Sequence, residues 1–310
     1  MWWLIFYLIG TSSFAGLNIE LRERQKDYAK GLPQVPLQHV KRLFIESEYV
    51  TGDAFRKLSR HVFDETDASF DPKSVQYGDT VFVNGDFLDL FFKYLHEKIA
   101  APYVLITHNS DFSLPGKFSN YLDHNKIIAW FTVNPSTVHE KLYSIPIGFR
   151  NHHWDKSRDF VIDKVCAETS MRTNTLIMNF RVWTNSAERA PVFDFFRNAD
   201  FCYFPGERNF EDFLRDMHHS KYCLSPFGNG RDCHRVYEAL AVGCVPIVLS
   251  SVMDQIYVTM PILIVNDWTS INEERLNAHY EQIVSKVGDK SYLKTNYWKE
   301  KIARFGNLSC

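Results

Sequence analysis

Six cysteines in 310 residues, Cys166, Cys202, Cys223, Cys233, Cys244 and Cys310, are too few for a disulfide scaffold and allow one or two bridges at most. Cys233 and His234 have no close cysteine pair beside them, so zinc ligation is not expected there. There is no excess of basic charge. Lys and Arg number 35 against 37 Asp and Glu, a formal net charge of −2, which argues against a general binder of nucleic acid or anionic membranes. No Gly-x-Gly-x-x-Gly run occurs, which removes the fingerprint of a tightly held dinucleotide. Internal repeats and low-complexity tracts are also missing, so a solenoid is not expected.

What remains is an ordinary globular composition, 45% hydrophobic and 23% charged, of a size that suits about two domains. Aromatics reach 15%, and core packing is the first reading of them because they dominate buried area. The apolar run from Met1 to Gly10 continues through Leu17 and is followed by charged residues from Glu20 to Lys26. Residues 1–17 thus fit a signal peptide or signal anchor, although no Lys or Arg precedes the run. Either version sends the chain into the secretory pathway, to the ER or Golgi lumen, with membrane contact only through this segment if it is uncleaved. Residues 18–40, with Pro33 and Pro36, read as a stem, and folding is expected to begin near Arg42–Glu46.

Two series of alternating strands and helices follow, the pattern of parallel sheets. The first, assigned to residues 41–160, has apolar runs at Thr80–Val83, Tyr103–Ile106, Ile127–Phe131 and Leu142–Ile145, with a helical pattern over Leu88–Ile99. The second, residues 161–310, begins with a strand at Thr175–Met178 and a helix over Ala187–Arg197, and adds a strand at Ile262–Val265. One helical pattern spans Glu281–Phe305.

The densest local signal runs from Lys221 to Leu249. Apolar strands at Tyr222–Leu224 and Val245–Leu249 enclose a glycine loop and a helix carrying Val236, Leu240 and Ala241 on one face, ended by Gly243. Gly228 and Gly230 permit close backbone approach or positive φ, and the amides at a helix start favour phosphate. Arg231 and Arg235 add fixed charge. Pro226, Gly228-Asn-Gly230, Asp232, His234-Arg235, Glu238-Ala-Leu240 and Gly243-Cys-Val-Pro246 together resemble the donor-binding motif of exostosin-like glycosyltransferases.

That resemblance implies an α/β chain of two Rossmann-like domains facing a cleft, with a C-terminal helix crossing back onto the first. It also implies inverting transfer from a nucleotide sugar, expected to be a UDP-sugar, to a glycan or glycoprotein acceptor. Donor binding is expected from Ser225, Gly228, Asn229, Gly230, Arg231, His234 and Arg235, with Glu238 accepting the ribose hydroxyls. Asn179-Phe-Arg181, Thr184-Asn185 and Arg189 resemble the family's strand-end pattern, which assigns stabilisation of the departing diphosphate to Arg189 and, second, to Arg181. Sugar transfer needs a base. Thr107–Asp111 follows a strand directly, making Asp111 the candidate and His108 the alternative. Asp267 and Trp268, after the last expected strand, are placed near the donor. No Asp-x-Asp stands at a strand end, and Asp64-Glu-Thr-Asp67 lies outside the matching motifs, so no metal or other cofactor is expected. A donor-fold subunit without activity is the alternative; an epimerase would need the missing dinucleotide fingerprint.

Overall fold

The computed structural model describes residues 47–66, 70–286 and 290–309, together with Leu17, Glu20, Glu23 and Arg24. The expected targeting segment as far as Gly16, most of the stem, Arg42–Glu46 and Cys310 lie outside the described residues. Among the described residues no helix is long and apolar enough to cross a membrane, and the other five cysteines are unbridged.

The first unit is a five-stranded sheet in the order β1 (His61–Phe63), β2 (Thr80–Asn84), β3 (Tyr103–His108), β4 (Ile127–Thr132) and β5 (Leu142–Ser144), every neighbour pair parallel. Every residue of β2 and β3 is buried, which is why both read as continuous apolar runs. Helix α1 (Gly52–Leu58) precedes β1, capped by Thr51, whose side chain accepts from the Ala54 amide at 3.0 Å. Helix α2 (Leu88–Tyr94) ends earlier than its sequence pattern, the remainder continuing as a 3-10 turn at His96–Lys98. Strand β1 was not expected, because only Val62 and Phe63 of its three residues are apolar.

Helix α3 (Arg158–Cys166) leads to the second sheet, formed by β6 (Asn174–Ile177), β7 (Cys202–Tyr203), β8 (Ser220–Leu224), β9 (Val245–Leu249) and β10 (Leu263–Val265). Its spatial order is β10-β9-β8-β6-β7, again all parallel. The chain therefore leaves β6 towards one edge and returns on its other side to β8. A crevice opens where the direction reverses, at the carboxyl ends of β6 and β8, and ligands bind at such points in open α/β sheets. The connecting helices are α4 (Ser186–Phe196), α5 (Phe210–His218), α6 (His234–Ala241), the single turn α7 (Asp254–Tyr257) and α8 (Glu273–Val284). Asn185, Asn209 and Asn272 cap α4, α5 and α8, each accepting from the amide three residues on. Gly243 ends α6 with φ +75°, a conformation that costs glycine little.

The expected helix over Glu281–Phe305 is not one element. Helix α8 stops at Val284, Lys290 takes φ +53°, and α9 (Thr295–Ala303) starts afresh. This last helix crosses to the first unit, as expected of the fold. Trp298 and Ile302 are buried there, and the chain beyond pairs with the start of β2 through Thr80 N to Asn307 O at 3.2 Å and Asn307 N to Gly78 O at 2.6 Å. The units share one continuous core in which Phe82, Ile106 and Phe131 join Ile177, Val236 and Trp298. The two sheets are thus Rossmann-like units held face to face by common buried side chains.

Candidate active site

A cleft of about 500 Å³ lies at the reversal point of the second sheet. Asn179, just past β6, marks one side. The loop 228–230 after β8 and the first turns of α6 form the other. Of the residues singled out from sequence, Asp111, Arg181, Arg189, Gly228, Asn229, Gly230, His234, Arg235 and Glu238 line it together, although they come from both units.

The glycines act by close approach and not by left-handed backbone, for neither Gly228 nor Gly230 has positive φ. A Cβ on Gly230 would stand 2.3 Å from Asn134 Nδ2 of the first unit, and one on Gly228 would stand 3.0 Å from Arg189 Nη2. Arg189 is buried and spends its donors on the loop. Its Nε donates to Phe227 O at 2.8 Å and its Nη1 to Arg181 O at 2.9 Å, while Nη2 lies 4.0 Å from Cys233 Sγ. Its pKa is lowered, chiefly by burial and then by the charge of Arg235. Asn185 adds Nδ2 to Gly228 O at 2.7 Å. Arg189 therefore shapes the glycine loop as well as bordering the cleft.

Arg235 has more to offer a ligand. Its Nε donates to Asn179 O at 3.0 Å, but its buried Nη1 makes no hydrogen bond within the protein. Three residues on, the buried Glu238 likewise leaves Oε1 without a partner. Burial raises the Glu238 pKa, opposed by the charges of Arg150, Arg235 and Arg158. Buried groups with unmet hydrogen-bonding capacity call for an explanation, and ligand contact is one. Arg181 is exposed and stacks near the Trp183 ring at 5.8 Å.

Four sequence expectations do not match the geometry. Arg231 is exposed and does not line the cleft, because the loop turns it outward ahead of the helix. Ser225 is buried beneath the loop at the end of β8, also outside the lining. His108 is fully committed: Nε2 donates to Pro146 O at 3.0 Å and Nδ1 accepts the Asn109 amide at 2.7 Å, leaving no lone pair for an acceptor hydroxyl. Burial lowers its pKa as well. Asp267 caps the 3-10 turn that Trp268 begins after β10, and both are absent from the lining.

Asp111 is exposed and joined across the cleft to Asn229, whose Nδ2 donates to Oδ2 at 3.0 Å. His234 also bridges the units, with Nδ1 donating to Gly148 O at 2.7 Å, which leaves Nε2 unprotonated; burial drives its pKa down to about 4. Asp232, quoted in the motif without a role, is the chief link. It accepts from Ile147 N, Tyr237 Oη, Tyr257 Oη and Cys233 N at 2.6–3.0 Å, and its own amide donates to Asn134 Oδ1 at 2.8 Å. Arg150 and Arg208 also line the cleft and carried no motif signal. Among the described residues the one group with metal-ligating atoms close together, His96, Glu97 and His124, lies outside this lining.

Residues 205–273, under a quarter of the chain, match the family described as the RXYLT1 C-terminal domain. The matched segment contains the glycine loop, Asp232, Arg235 and Glu238, where the exostosin-like resemblance is densest. No curated protein matches the chain. Among solved structures, a UDP-forming trehalose-phosphate synthase from Burkholderia xenovorans is similar over 73% of this chain and 73% of its own, at 9% identity and a TM-score of 0.43. A ligand-free OtsA structure is similar over 74% and 73%, at 10% identity and 0.42. The pneumococcal O-GlcNAc transferase GtfA in complex with UDP and GlcNAc is similar over 75% and 55%, at 11% identity and 0.32.

Proposed function

We propose that the chain is a glycosyltransferase that binds a nucleotide sugar in the cleft of its second unit and receives its acceptor from the first. One observation carries the reading. The unpartnered Arg235 Nη1 and Glu238 Oε1 lie one helical turn apart and border the same cleft at the reversal point of a parallel sheet, a cation for phosphate beside a carboxylate for ribose hydroxyls. The family match over 205–273 falls on those residues.

In this reading Arg235 and the start of α6, which no side chain caps, receive the diphosphate. Arg189 holds the loop in shape and adds positive potential as charge develops on the leaving group. Fixed arginines take the part that a metal ion plays in metal-dependent transferases, and the donor is a UDP-sugar. Transfer inverts the anomeric centre, as the exostosin-like resemblance implies. Enclosure between the two units keeps water from the activated sugar. The apolar run over residues 1–17 supports a secretory-pathway setting for this chemistry.

Thermal unfolding with nucleoside diphosphates and nucleotide sugars, with and without a chelator, tests the reading. A ligand that binds only the folded protein at about one hundred times its Kd adds about 2.7 kcal/mol and raises Tm. A uridine-specific, chelator-insensitive rise is expected. Folded protein that responds to no nucleotide refutes the donor site.

A further inference from the structure

A second cavity of about 280 Å³ adjoins the donor cleft and shares Asp111, Ile147 and His234 with it. It belongs otherwise to the first unit. The segments after β1, β2 and β3 each deliver one carboxylate to its wall, Glu65, Asp86 and Asp111. His108, His153 and His234 are the other titratable groups that line it, and the exposed Trp154 stands among them.

Two adjacent acids after β1 are treated differently. Asp64 takes the guanidinium of Arg56 and bonds Thr66. Glu65, also buried, turns to the cavity, where its Oε2 accepts from Asn84 Nδ2 at 2.7 Å. Environments that separate neighbouring carboxylates in this way are how proteins assign acid and base roles. The other groups are less suited to take a proton. His108 has both nitrogens engaged, His234 is held far below neutrality by burial, His153 faces the Asp53 carboxylate at 3.8 Å, and Asp86 and Asp111 are less buried than Glu65.

We propose that Glu65 is the general base of the transfer, drawing the proton from a hydroxyl of a neutral sugar or polyol seated in this cavity. The inference rests on the donor reading above. As the acceptor oxygen bonds to the anomeric carbon, its proton passes to the Glu65 carboxylate. The bond from that carbon to the phosphate oxygen breaks, and its electron pair leaves with the nucleoside diphosphate. The protonated Glu65 then returns its proton to water. Burial, reinforced by the charge of Asp64 and opposed by Arg56, raises the Glu65 pKa to about 7, where a base is both available and effective at neutral pH. Asp86 and Asp111 favour hydroxyl groups and repel an anionic group at the reacting end, and the Trp154 ring offers a sugar an apolar face.

The test measures nucleoside diphosphate release by the whole chain from UDP-sugars, with neutral methyl glycosides and alditols as acceptor probes, across pH. Wild type is expected to lose kcat/KM as pH falls through about 7. Glu65→Gln is expected to lower kcat by roughly 10²- to 10⁴-fold, to lack that limb in its residual rate, and to keep the nucleotide-induced rise in Tm. Partial recovery in Glu65→Asp is expected. Wild-type turnover in Glu65→Gln overturns the proposal, as does a limb that persists there and disappears in Asp111→Asn. If Glu65→Gln does not fold, a wild-type profile that is flat through neutrality overturns it equally. Wild type that neither binds nucleotide nor releases it refutes the donor site itself; wild type that does both beside a fully active Glu65→Gln refutes only the base.

Discussion

Asp232 offers the sharpest energetic test, because four donors from both units converge on one carboxylate that is only 2% exposed. Asp232→Ala strands two backbone amides and two tyrosine hydroxyls. A net hydrogen bond is worth about 1 kcal/mol, more to a charged group, and an orphaned buried donor costs about 1–3 kcal/mol. Against this, the variant is spared the burial of a charge and admits water, so a net loss of roughly 3–5 kcal/mol is expected. For a chain of this size that is a fall in Tm of roughly 5–8 °C by calorimetry. Asp232→Asn supplies the pH arm. Burial raises the wild-type carboxyl from 3.8 to about 6 despite its four donors. A raised folded pKa contributes stability that is complete below the unfolded value and is lost as pH rises through about 6. The difference of about 2 units corresponds to roughly 3 kcal/mol. Asparagine does not titrate, so its stability relative to wild type should improve between pH 4 and 7 by about that amount. A Tm for Asp232→Ala within about 2 °C of wild type, or an Asn-to-wild-type difference that is level over that range, refutes the reasoning.

Arg235→Ala should weaken a nucleoside diphosphate far more than the bare nucleoside in calorimetric titration, since it removes a phosphate partner; equal losses would assign Arg235 a structural role. Glu238→Ala should raise the nucleotide Kd roughly tenfold to a hundredfold with an unchanged circular dichroism spectrum, from a charged hydrogen bond worth about 1.5–3 kcal/mol. Unchanged affinity would remove the ribose role. Gly148 has φ +64°, and a Cβ there would lie 2.2 Å from Val50 O, so Gly148→Ala should cost roughly 3 kcal/mol or more in the urea midpoint, with wild-type stability the refuting result.

Much of the fold was legible because it rests on local patterns. Thr80–Val83, Tyr103–Ile106, Ile127–Phe131 and Val245–Leu249 are buried on both faces and so appear as apolar runs, and Gly243 ends its helix by a property of glycine alone. The two-residue strand β7 and the break between α8 and α9 were not legible, since neighbours in space set them. Residue types suited to phosphate and ribose could be read from the 228–238 stretch, because a loop and the helix after it place their own groups. Which group is spent on the protein and which is left for a ligand could not. Arg189 and Arg235 look alike in sequence, yet one is consumed by loop carbonyls and the other keeps an unpartnered nitrogen. His108 lost its lone pair to the Asn109 amide, and Glu65 gained a near-neutral pKa from burial. The order of amino acids therefore determined the strands, the glycine loop and the kind of ligand that they suit. Only the tertiary structure decided which side chains are spent on the protein and how the two units join, because pairing, burial and charge proximity depend on residues far apart in the chain.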